Sequence, residues 1–144
     1  MIKLLTIFFL SLTLTASAQK NQSFDRDKER VDKVCDTFMT LFTQRKIHDA
    51  MQLLKENTVM EPASIDKLQG TVDNQMENYF PAFGKMLSYE FIIERKIKDF
   101  IAKRFYMLKF EKYYLKFGFT LYKVSTGWTI TNFKYDEDII ELLY

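Results

Sequence analysis

The sequence predicts an α+β domain with three N-terminal helices packed on one face of a four-stranded antiparallel sheet. Two observations carry this. Apolar residues recur every three or four positions up to about residue 80, and every second position from Lys85 onward. The second run also breaks into four segments at turn-forming residues. Folding it at those turns puts the apolar set of every segment on one side of one sheet. That side needs a cover, and the helices supply it.

The first residues read as a targeting segment. Lys3 supplies a positive charge, Leu4 to Leu14 is an apolar run, and Ala16-Ser17-Ala18 offers small residues where a signal peptidase reads. Cleavage is expected before Gln19, giving a signal peptide over 1–18 and a single domain over 19–144. A membrane-spanning helix needs about 20 apolar residues, more than this run provides. The expected location is secreted or periplasmic, with no membrane attachment after cleavage.

The first helix is expected over about residues 24–44, with Ser23 as N-cap and Asp25 and Asp27 in its first turn. Its stripe is Val31, Val34, Cys35, Phe38, Leu41 and Phe42. A second, short helix carries Ile47, Ala50, Met51, Leu53 and Leu54 and ends at Asn57-Thr58. Pro62 and Ser64 open a third, with Ile65, Leu68, Val72, Met76 and Tyr79 along one side. Pro81 and Gly84 stop it.

Four strands follow. The first places Leu87, Tyr89, Phe91, Ile93 and Ile97 on the core face, and Lys98-Asp99 turns the chain. The second places Phe100, Ala102, Arg104, Tyr106, Leu108 and Phe110 there, and Glu111-Lys112 makes the next turn. The third contributes Tyr113, Leu115, Phe117, Phe119 and Leu121. Ser125 to Gly127 leads into the fourth, which starts at Trp128 and Ile130. These turns set Ile97 opposite Phe100, Ile93 opposite Arg104, Phe91 opposite Tyr106, Leu108 opposite Leu115 and Leu121 near Ile130. On the other face Glu94 falls opposite Lys103.

Two stretches resemble a known superfamily: Phe38 to Leu54, FMTLFTQRKIHDAMQLL, and Ser125 to Tyr135, STGWTITNFKY. Together with the helix-then-sheet order they make the chain similar to the nuclear-transport-factor-2-like, or cystatin-like cone, superfamily. The resemblance implies a curved sheet, a cone-shaped pocket between sheet and helices, and frequently a homodimer. Many secreted members of this superfamily have no assigned activity, and some of its enzymes use a pocket carboxylate or His as a base.

The chemistry of the residues narrows the function. The formal net charge is +2, and losing Lys3 with the signal leaves +1. The charges are scattered, which argues against nucleic-acid partners. The one Cys, Cys35, lies on the helical stripe, where a core role is the simpler one. One His and one Cys do not assemble a nitrogen–sulfur metal site, and no cofactor is expected. The core-facing strand set holds no Asp or Glu, since Glu90, Glu94 and Glu111 fall on the other parity. His48, among Arg45, Lys46 and Asp49, reads as a solvated helix-end residue, and Asp73 and Glu77 face solvent. A catalytic base is therefore missing from the expected pocket.

Candidate ligand contacts are the polar and aromatic residues of the core-facing set: Tyr89, Arg95, Arg104, Tyr106 and Trp128, with Tyr113 and Asn132 beside them. Arg95 and Arg104 as neighbours need an anion. It is either a ligand's carboxylate or a helix acid such as Asp32, Asp36 or Asp66, and structural ion pairs are the commoner arrangement. The other face carries Ile92, Phe105, Met107, Tyr114 and Tyr122, with Phe133 joining them. Such an apolar centre ringed by Lys is an interaction surface. A second subunit covers it, the tail at Ile139, Ile140, Leu142 and Leu143 folds back over it, or the strands are simply two-faced and the tyrosines lie flat on the surface. The reading that follows is a secreted or periplasmic, non-enzymatic binding module, paired as a homodimer through this face. The alternatives are an enzyme acting on a small apolar or anionic substrate in the cone, or a structural dimer without ligand.

Overall fold

In the computed structural model the backbone is described from Leu14 to Tyr144 and the side chains from Arg26 onward. Residues 1–13, the bulk of the expected signal peptide, lie outside the described residues. Helix α1 spans Leu14–Thr43, α2 Ile47–Glu56 and α3 Pro62–Asn78. A short 3-10 turn at Phe80–Phe83 leads into strands β1 Met86–Ile97, β2 Ile101–Phe110, β3 Tyr114–Val124 and β4 Gly127–Asp136, and a last helix, α4, covers Ile140–Leu143. The strands form one antiparallel sheet in the order β1-β2-β3-β4. This is the expected α+β architecture. Among the described residues no helix is long and apolar enough to cross a membrane.

Helix α1 begins earlier than expected, so Ser23 lies inside it rather than capping it. The residues upstream, Leu14, Ala16, Ala18, Gln19 and Lys20, are good helix formers and extend it. Its buried stripe is Val31, Cys35, Phe38, Met39 and Phe42. Arg45 ends it in the left-handed region at φ 63°. The Arg45 and Lys46 N–H groups donate back to the Phe42 and Leu41 carbonyls, both at 2.9 Å, which satisfies the helix end. Pro62 starts α3, where its missing N–H costs nothing.

The β2–β3 and β3–β4 hairpins keep the expected pairs, Leu108 with Leu115 and Leu121 with Ile130. The β1–β2 hairpin does not. Its turn takes three residues, 98–100, with Lys98 at φ 52°, and Ile97 pairs with Ile101. Glu94 therefore pairs with Arg104, and Arg95 with Lys103. A bulge between Phe91 and Ile93 adds one residue and restores the pairing of Phe91 with Tyr106. Between turn and bulge the faces are exchanged: Glu94 points at the helices, while Ile93, Arg95 and Ile97 point away. The inner face does hold a carboxylate, contrary to the parity argument. β1 has a further bulge at Leu87, and one after Thr120 turns Phe133 inward, so that Asn132, which pairs with Thr120, is exposed.

The core between sheet and helices is dense with aromatic contacts. Phe38 meets Phe119 edge-on at 5.3 Å, and Phe42 meets Phe117 at 5.0 Å. The outer face is partly covered by the chain's own tail. Glu141 of α4 pairs with Lys103 at 2.8 Å and with Lys116 at 3.4 Å, and Ile139 and Leu142 are half-buried. Beneath them Phe105 is 1% exposed and Lys116 1% exposed, the latter also paired with Asp136 at 3.1 Å.

Candidate functional site

Arg104 leaves the middle of β2 toward α1, where Lys28, Asp32 and Asp36 stand at successive turns of one helix face. Its guanidinium reaches Asp32 at 3.4 Å, Asp36 at 3.5 Å and Glu94 at 3.3 Å. Arg104 Nε donates to the Tyr106 hydroxyl at 3.1 Å, and that hydroxyl donates to Asp36 Oδ1 at 2.5 Å. Lys28 closes the group by donating to Asp32 at 2.6 Å and to Glu94 at 2.5 Å. The guanidinium lies 4.4 Å from the centre of the Phe91 ring. Tyr89 fixes the rim, its hydroxyl sharing a hydrogen bond with Thr40 at 3.0 Å and donating to the Asp36 carbonyl at 3.2 Å.

The electrostatics of this cluster are those of a closed network. Burial pushes the Glu94 carboxyl up, but the Lys28 hydrogen bond and charge, with Arg104, outweigh it and hold the group below its usual range. A carboxylate held ionised between two cations is a poor base. Burial, then donation to Asp36, pushes the Tyr106 phenol up, so it stays protonated. Burial works against the Arg104 cation, yet Tyr106, Asp32 and Glu94 hold it charged. Burial likewise pushes the Cys35 thiol up and away from the reactive thiolate. Four contacts to these protein acceptors engage the Arg104 guanidinium, and the anions beside it come from α1 and β1.

Of the predicted ligand contacts, Tyr89, Arg104 and Tyr106 meet in this cluster. Trp128 joins its edge: Lys28 Nζ sits 5.7 Å from its ring centre, and its backbone N–H donates to the Asp27 carboxylate. Arg95 is exposed on the opposite face and takes no part. Of the three helix acids, Asp32 and Asp36 pair with Arg104, whereas Asp66 pairs with Lys55. Lys28 and Glu94 were missed. The spacing Lys28, Asp32, Asp36 is a visible four-residue ladder that could have flagged the first. Glu94 needed knowledge of the bulge.

The residues expected to form one outer patch are dispersed. Ile92 and Tyr122 are exposed and Met107 and Tyr114 half-buried, while Phe105 is enclosed and has no surface to give a partner. Exposed large apolar side chains also line β1 and its turn, namely Leu87, Phe91, Ile92, Ile93, Ile97 and Phe100, with Phe91 on the helix side of the sheet and Ile93 and Ile97 on the other. An open cleft of about 590 Å³ lies elsewhere, between α2 and α3. Arg45, Lys46, His48 and Asp49 line one side of it and Asp73 and Glu77 the other, so His48 borders a cleft rather than open solvent alone. Compared with protein-family models, with curated proteins and with solved structures, the chain matches none.

Proposed function

We propose that the chain is an exported, non-enzymatic interaction module of the nuclear-transport-factor-2-like kind, and that β1 is its binding surface. The observation that carries this is the run of six exposed large apolar side chains on one edge strand and its turn. Export is supported by the Ala16-Ser17-Ala18 motif behind an apolar run. The superfamily reading is supported by three helices followed by a four-stranded antiparallel sheet. The committed donors of Arg104 and the low basicity of Glu94 favour binding over turnover at the inner face. The test is a photoreactive phenylalanine analogue placed at Ile97 or Phe100 in the full chain in its own host, with exposed Glu56 as the control position. Protein adducts are expected from the β1 positions and not from 56. Equal or absent adducts at all three positions sink the reading.

A further inference from the structure

We infer that helix α4 is a displaceable plug in a carboxylate site on the outer sheet face, and that this site takes an acidic, leucine-bearing helix of a partner protein. The inference goes beyond the reading of β1 and stands without it. The site is built from three strands. Phe105 pairs with Gly118 and Gly118 with Lys134, so the three lie in one row across β2, β3 and β4. With no side chain at Gly118, the Phe105 ring lies across the sheet there: a Cβ on Gly118 would stand 3.5 Å from it. Lys103 and Lys116 flank the ring, their Nζ atoms 5.1 and 5.8 Å from its centre. Both cations and Lys134 converge on one side chain. Glu141 lies 2.8 Å from Lys103, 3.4 Å from Lys116 and 3.8 Å from Lys134. The Lys103 hydrogen bond holds the Glu141 carboxyl below its usual range, so it stays ionised. Asp136 also reaches Lys116 and Lys134, at 3.1 and 3.8 Å. Lifting Glu141 away would leave three cations facing that one carboxylate.

The site is better built than its occupant. Phe105 and Lys116 are each 1% exposed beneath it. α4 has four residues, too few to sustain a helix by its own hydrogen bonds. Ile139 and Leu142, three positions apart, are only half-buried, and Ile140, Leu143 and Tyr144 are exposed. Ordering each residue costs about as much as a half-buried contact returns, so α4 is held near balance. What it shows is the chemistry that fits: a carboxylate for the lysines, with aliphatic neighbours over an aromatic floor. The floor also continues toward β1, where Ile93 pairs with Phe105 and is still exposed. A longer helix with the same order of residues would seat its acid among the lysines, keep its own hydrogen bonds and cover Ile93. A bare anion would gain only the lysines.

The probe is a fluorescein-labelled peptide copying residues 137–144, and the protein is the full chain. Glu141→Lys sets a fourth cation against the three and should free α4. Anisotropy should then show this variant binding the peptide about tenfold more tightly than the wild type, whose own α4 fills the site. Glu141→Gln should fall between the two, and a peptide carrying Glu141→Lys should bind none of them. Acetic anhydride should acetylate Lys116 in the Glu141→Lys protein and spare it in the wild type, and excess peptide should protect it again. Loss of the folded circular dichroism spectrum in both Glu141 variants would make α4 a part of the fold and overturn the proposal. Equal or absent peptide binding by all three proteins overturns it, as does binding indifferent to the peptide's charge. Release of the peptide by millimolar phosphate would reduce the site to a bare anion site and overturn the helix. Protection of Lys116 in the wild type that rises with protein concentration would place another copy's α4 there and overturn the partner.

Discussion

At the β4 edge of the sheet, residues 57–59 cross beside the strand and bond to it at Ile130. Ile130 donates to the Asn57 carbonyl and accepts from Val59, both at 3.2 Å, and Thr58 Oγ1 donates to the same Ile130 carbonyl at 2.6 Å. At the β1 edge no described segment lies alongside, and the strand shows apolar side chains to water. An unpaired edge is a hazard that folds usually blunt. Here one edge is met from within the chain at Ile130, and the other carries two bulges, at Leu87 and Ile92, and the flanking Arg95, Lys96 and Lys98. The two edges therefore differ in burial: Ile130 at β4 is enclosed, and the apolar side chains of β1 are exposed.

The sharpest way to break that contrast is to truncate one apolar residue at each edge. Ile130 is 0% exposed, and Ile130→Ala should cost about 2–5 kcal/mol by urea denaturation. A loss under 1 kcal/mol would mean that the β4 edge is not the structural one. Next comes the cluster that ties β1 and β2 to α1. Glu94→Gln keeps one acceptor oxygen but removes the negative charge that Lys28 and Arg104 share, and should cost about 1–3 kcal/mol at neutral pH. The pH dependence has a definite sign. A carboxyl whose folded pKa is lowered stabilises above its unfolded value, and that stability drains as the pH falls from the ordinary value of 4.5 toward the folded one. The wild type should therefore lose stability below about pH 4.5 more steeply than Glu94→Gln. Parallel acid limbs for the two proteins would show that Glu94 is not tied to these cations. Smaller still is Thr58→Ala, which removes the hydroxyl's bond to the Ile130 carbonyl and the one it accepts from the Met60 N–H, and should cost about 1–2 kcal/mol. The hydrogen exchange of Ile130 should rise with it; an unchanged rate would place the cover elsewhere.

The same contrast explains how much could be read from residues alone. β2 and β3 were legible because Glu111-Lys112 is a short turn and nothing interrupts the alternation between Ala102 and Leu121. That is why Tyr106 and Arg104 were placed facing the helices. The β1 register was not, because a bulge has no composition of its own. One extra residue near Ile92 moved Glu94 inward and Arg95 outward, reversing the expected roles of both. Phe133 and Asn132 exchanged faces for the same reason at the bulge after Thr120. The fate of Phe105 depended on where the tail folds, and the pattern of Ile139 to Leu143 left that open. His48 reached a cleft because of how α3 lies against α2, a packing angle that periodicity does not encode.

The smallest expected effect on folding is the one that best separates the two edges. Leu87 is 58% exposed and Ile97 59% exposed, so replacing both by Ser removes little surface that folding buries. The sum should stay within about 0.5 kcal/mol per substitution. That expectation holds only for the isolated chain. A dimer adds stability by mass action, in proportion to the logarithm of protein concentration over its dissociation constant. The double variant should therefore match the wild type in denaturation at nanomolar concentration. If copies associate through β1, it should fall behind as both are raised to tens of micromolar. A difference of more than about 1 kcal/mol that is already present at the lowest concentration would show that these side chains serve the fold itself. β1 would then be an edge like β4, and equal stability at every concentration would show that no second copy uses it.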